Sequence, residues 1–262
     1  MGKKILFLLV FCVPVFSGFT VFAQSGLDTR RESSSMSIPF VDMTVRSAQY
    51  NQETALSIRL ILLLAIITLS PSIIVLMTSF LRLAIVFDFI KRALSLQSAP
   101  PNQVIMGIAL FLSLFIMWPT LSEIYEKAYL PYSEGEISTP EMLSEAEGPI
   151  RLFMYRQMAG EHDNIALFMR MGNLPKPANL SDVPTYVLIP AFILNELTVA
   201  FKIGILIFLP FIVIDLIVAS ILMSMGMIML PPVMISMPFK IALFVMVDGW
   251  TLLSQQLILS FG

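Results

Sequence analysis

An all-α integral membrane protein is the fold class predicted: helical hairpins with broken helices, around one small solvated helical segment. Three observations predict it. Only 13 % of the 262 residues are charged while 57 % are hydrophobic, against about 25 % charged in an ordinary soluble domain. Fifteen of the 34 charges fall in one stretch, 119–183. The remaining apolar runs are too long for strands and lack their two-residue alternation. A net charge of −2 argues against nucleic acid as a partner. A lone cysteine and a lone histidine rule out a disulfide scaffold and a zinc site.

Residues 1–23 read as a secretory signal peptide. Lys3 and Lys4 precede an apolar core over 5–16, and Val21, Phe22 and Ala23 offer a small-residue cleavage site. Cys12 lies inside this leader. The segment 24–55 is polar and mixed in charge, and reads as a flexible lead-in. Residues 56–118 form the first apolar helical hairpin. Within it, 60–81 is 22 residues without a charge, a helix of roughly 33 Å, enough to cross a hydrocarbon core. Pro71 predicts a kink or break, since its ring conflicts with the residue 67 carbonyl.

A short charged interval follows. Arg82, Asp88, Lys91 and Arg92 form a local cluster, and the spacing places Asp88, Lys91 and Arg92 on one helical face. Pro100, Pro101 and Asn102 predict a turn. The next apolar helix should cover 104–118 and stop at Pro119.

The acidic segment 119–183 holds ten acids and five bases and should be solvated, with a helix over 165–171 and a loop at 175–177. Residues 184–262 form the second apolar region. It should contain two long helices folded as a hairpin, a break at Pro231 and Pro232, and a final amphipathic helix. By the Lys/Arg bias, 82–92 should face the cytoplasm and 119–183 the opposite side.

Buried charge sets the strongest constraint. In 188–209, 14 residues are Leu, Ile, Phe or Val, worth roughly −4 to −8 kcal/mol in a membrane, while Glu196 and Lys202 cost roughly +5 to +7. As a lone lipid-facing helix the segment is close to break-even. The two charges are six residues apart, about 240° around the helix, and cannot pair within it. Each needs a partner from another helix or another chain, and Asp215 adds a third demand. Contacts between subunits of an oligomer are the expectation for Glu196, Lys202 and Asp215.

Met223, Met225, Met227 and Met229 alternate beside Gly226 and ahead of Pro231 and Pro232. Met is unbranched and polarizable, so several lining one opening can deform around a passing chain and close again. Gap-filling in a core is the equally weighted alternative. Neither a phosphate-binding loop nor any cofactor site is recognisable. His162 reads as a surface residue, and an aspartyl protease lacks its flanking glycine pattern. No enzymatic activity is expected, and a proton- or ion-coupled transporter of small solutes is the rival class.

Four stretches resemble the FliP family of bacterial flagellar type III secretion export-gate proteins: MTSFLRLAIVFDFIKRAL (77–94), PPNQVIMGIALFLSLFIMWP (100–119), PAFILNELTVAFKIGILIFLPFIVIDL (190–216), and MSMGMIMLPP with PFKIALFVMVDGW (223–232 and 238–250). Asn195 stands where that family often has Ser or Thr. The resemblance implies a pentamer that joins FliR and several FliQ subunits in the inner membrane, at the flagellar basal body. It would form the pore through which flagellar protein chains pass, with other export-apparatus proteins and membrane lipid around it. It implies that 223–229 belongs to a methionine gasket, that the acidic segment is periplasmic, and that much of the assembly sits above the membrane plane. The virulence injectisome counterpart shares these motifs, but is usually shorter and lacks a cleaved leader.

Overall fold

The structure is a computed structural model. It describes residues 51–96, 99–158, 163–177, 179–227 and 230–261. The expected leader, and the lead-in up to residue 50, lie outside the described residues. Every regular element among the described residues is helical. The chain divides into two compact units, Met1–Ile74 and Val75–Gly262.

Helix α1 (Asn51–Leu76), all but its last two residues in the first unit, runs without interruption across position 71. Its central turns expose Ile61, Leu62 and Leu64. Proline removes one backbone donor, and the helix absorbs that loss. The interruption falls instead at 77–79, where a hydroxyl competes for the backbone. Thr78 Oγ1 donates to the Val75 carbonyl (2.7 Å) and accepts the Phe80 N–H (3.3 Å), closing one helix and opening the next.

Beyond this turn, in the second unit, comes α2 (Phe80–Ala93), so the charged interval is helical. Its apolar face buries Leu83, Val86, Phe87 and Ile90. It ends in a Schellman turn: Ser95 is left-handed (φ +60°), and the Ser95 and Leu96 N–H groups donate to the Arg92 and Lys91 carbonyls.

Helix α3 (Asn102–Ile124) passes through Pro119, where a stop was expected. A single proline costs one bond, and the residues beyond it are good helix formers. A π-turn (Tyr125–Tyr129) and the short α4 (Leu130–Ser133) continue it. The acidic segment then supplies α5 (Thr139–Gln157) and α6 (Asp163–Met171). The latter covers the expected 165–171, and 174–177 is a loop.

One helix, α7 (Thr185–Ser224, 40 residues), fills the region where two were expected before the break. At 1.5 Å per residue it is about 60 Å long, twice the thickness of a hydrocarbon core. Pro190 and Pro210 lie inside it. Each removes one bond, too little against the side chains packed along it. Gly226 ends it, not proline. With φ +74°, it forms a second Schellman turn, the Gly226 and Met227 N–H groups donating to the Met223 and Leu222 carbonyls. Pro231 and Pro232 open α8 (Pro232–Met246), proline's preferred place in a helix. A 64° bend separates α8 from α9 (Gly249–Leu259).

Two apolar cores result. In one, α2, α3, α7, α8 and α9 meet around Phe87, Ile90, Phe211, Phe244 and Leu257. In the other, Met154, Met158, Ile165 and Met169 of the acidic segment pack on Leu188 and Phe192 at the start of α7. The acidic segment therefore has a buried side of its own. Gly204 lets α2 approach α7: a Cβ there would stand 2.5 Å from the Phe89 ring. Two described stretches, Asn102–Ser133 and Thr185–Ser224, are long and apolar enough to cross a membrane, and α8 with α9 passes as a bent pair.

Candidate functional site

Two buried polar nodes and one methionine turn stand out from this apolar body. The first node centres on Arg82 and Glu196. Arg82 faces inward because it sits on the apolar side of α2, and Glu196 lies on α7 opposite it. Nε donates to Glu196 Oε2 (2.8 Å) and Nη2 to Oε1 (2.5 Å), a two-pronged pair between side chains almost wholly removed from solvent. Nη2 also donates to Gln157 Oε1 (3.2 Å), and Nη1 to the Ser260 carbonyl (3.0 Å) and Oγ (3.1 Å). All five guanidinium N–H groups are thereby used. The Phe261 ring lies 3.9 Å from the guanidinium carbon, and Asn195 Nδ2 donates to the Gln157 carbonyl (3.2 Å).

The second node joins both sides of the break at 225–231. Lys240 on α8, itself buried, donates to Asp215 Oδ2 of α7 (2.6 Å), to Ser95 Oγ (3.0 Å) and to the Ala93 carbonyl (3.2 Å). Its three donors are engaged, and the ammonium caps the negative end of α2. Ser236 Oγ donates to the other Asp215 oxygen.

Of the two sources the sequence allowed for the counter-charges of Glu196 and Asp215, another helix or another chain, these nodes supply the first. Both find a partner inside the chain. The sequence arithmetic demanded a partner but carried no information on which helix would lie alongside. Glu196 and Asp215 also share one helix. Lys202 is exposed on α7. The charge cluster of α2 is likewise divided. Arg82 joins Glu196, Lys91 donates to Asn102 Oδ1 (2.6 Å), and only Arg92 meets Asp88 (2.7 Å, four residues away, exposed).

Met223, Met225 and Met227 sit on the turn that ends α7, with 63, 64 and 37 % of their surface exposed. They are not fillers of this chain's core. Met229 lies outside the described residues. Sequence reasoning missed Gln157, Ser260, Ser95 and Ser236, polar residues with no distinguishing pattern. Lys240 carried a signal, being one of only five charges in the last 77 residues.

Both nodes consume every donor of their cation, the geometry of clamps between helices. The chain is also similar in sequence to known proteins. Residues 63–257 match the sequence model of the FliP family. A flagellar biosynthetic protein FliP of Treponema pallidum is 56 % identical over 263 residues, covering 99 % of this chain and 96 % of its own length. Those of Borreliella burgdorferi (56 %, 95 % of this chain and 98 % of the relative) and Bacillus subtilis (47 %, 84 % and 98 %) are similar along most of their lengths. This chain belongs to the FliP family.

Proposed function

We propose that the chain is a wall-forming subunit of the flagellar protein export gate in the inner membrane, passing unfolded flagellar subunits through a pore shared with further copies of itself and with FliQ and FliR. Family membership and the flagellar names of the relatives support the flagellar reading over the injectisome one. The apolar surface of α7, which presents Ile205, Leu206, Leu209, Val213 and Ile217 outward, suits burial against lipid or neighbouring subunits. Lys202 lies on that surface, and with Glu196 and Asp215 it stays among our candidates for contacts between subunits.

The observation that carries the gate reading is the exposure of Met223, Met225 and Met227 on a turn whose backbone is pinned. The Schellman bonds fix the turn, and the Asp215–Lys240 pair ties the helices on either side of it. A fixed backbone with deformable side chains suits a seal that yields to a translocating chain and recloses. Substrate movement is passive here, driven by energy sources elsewhere in the apparatus. The test is to replace Met223, Met225, Met227 and Met229 with Ala together. The complex should still assemble, and cells should become leaky to small ions. Unchanged conductance with intact assembly removes the gasket role.

A further inference from the structure

Helix α9 is attached to the bundle unevenly. Of its eleven residues only Gly249 and Leu257 are buried. Its near end joins α8 through the 64° bend, where Asp248 is left-handed (φ +51°). A Cβ at Gly249 would stand 2.4 Å from the Phe244 ring, so glycine is needed at this joint. Its far end is fastened by the two residues just beyond it. Ser260 receives both Nη1 bonds of Arg82, Phe261 lies under the guanidinium, and Gln157 Nε2 donates to the Phe261 carbonyl (3.1 Å). Phe153 stacks on the Phe261 ring at 6.5 Å and 16°.

We propose that Ser260 and Phe261 form a latch, and that α9 opens about Asp248 as a single arm when the latch releases. The division of labour in Arg82 makes this possible. Nε and one Nη2 N–H hold Glu196, the second Nη2 N–H holds Gln157, and Nη1 alone holds the tail. Releasing the tail therefore leaves the α2–α7 ion pair closed. The latch consists of three hydrogen bonds and two ring contacts with Ser260 exposed and Phe261 half-buried against both cores, and α9 itself adds only Leu253 and Leu257 on the first core and Trp250 on the Phe87 and Phe244 rings. Such an attachment belongs to the low end of a protein's range of local opening energies, far below that of the α2–α7 core.

Hydrogen exchange on the full chain, purified in its native membrane complex, tests the latch. Two variants are compared with the unaltered protein. Ser260→Ala/Phe261→Ala removes the Oγ bond and both ring contacts, leaving only the two bonds to backbone carbonyls. Arg82→Lys removes it from the other side, because a lysine ammonium pairs with Glu196 but cannot reach across to Ser260 as a planar fork does. In both, the amides of 250–259 should exchange about tenfold faster or more; in the tail variant, which leaves the α2–α7 pair untouched, those of α2 and α7 keep their rates. Unchanged exchange in α9 overturns the proposal. So does acceleration that the tail variant spreads equally through α2 and α7, because the tail would then be ordinary core. The double tail variant decides the matter even if Arg82→Lys fails to accumulate.

Discussion

Arg82 and Glu196, 114 residues apart in sequence, form a two-pronged ion pair at 2.8 and 2.5 Å, with the carboxylate wholly buried. The pair fastens α2 to α7 inside one chain. A buried pair is weak support for stability against an apolar replacement, but breaking it by removing one partner costs about 3–5 kcal/mol.

Glu196→Lys places two cations together and should strip the chain of stability before any assembly step. Thermal unfolding of the detergent-solubilised chain should show a large drop. The swap Arg82→Glu/Glu196→Arg should recover part of it, which a double-mutant cycle reads directly. A Glu196→Lys chain that unfolds normally, yet no longer co-purifies with partners, would transfer the residue's role to an interface.

Gly204→Ala tests the close approach of α2 and α7. The new Cβ meets the Phe89 ring, itself edge-on to Phe201 at 5.2 Å. Overpacking of this kind costs about 1–3 kcal/mol. Shortening Phe89 to Ala in the same chain should return part of the loss, and unfolding midpoints of the three variants check it.

Lys240→Met should destabilise more than Asp215→Asn/Lys240→Met. The single change leaves a partly buried carboxylate without its ammonium, whereas the double change leaves no charge to compensate. Asp215 retains a quarter of its side-chain exposure, so the single loss should fall at or below the low end of the 3–5 kcal/mol range. Equal midpoints for the two variants would contradict the pairing.

Acid should fray the first turn of α5. The Ser138 backbone N–H donates to Glu141 Oε2 (2.7 Å) and the Ser138 hydroxyl to the same oxygen (2.8 Å), forming part of a capping box. The backbone bond first, then the hydroxyl bond, holds the Glu141 carboxyl below the ordinary carboxylate value. Its contribution is therefore fully present above the ordinary value and is lost as pH falls through the lowered one. Carboxyl titration by NMR should show Ser138→Ala moving Glu141 back toward the ordinary value, with less acid fraying of 139–142.

Much of the fold is legible in residue chemistry. Sparse charge and long apolar runs predict helices for a membrane setting, and the spacing of the 165–171 stretch predicts α6. The boundaries were less legible. Pro71 and Pro119 read as interruptions, yet helices cross both positions, as α7 crosses Pro190 and Pro210. A proline costs one backbone bond, and packing along the rest of the helix outweighs it. The true ends lie at Thr78, Ser95 and Gly226, where a hydroxyl or a left-handed residue gives the backbone another partner.

The sequence by itself determined that Glu196 and Asp215 must be neutralised and that helix geometry denies Glu196 its neighbour Lys202. Only the tertiary structure decided by whom: Arg82 for one, Lys240 for the other. The reason is physical. Desolvation cost depends on residue type and burial and can be summed along a chain, whereas the identity of a counter-ion depends on which faces pack together. That packing is set by details as small as the missing Cβ of Gly204.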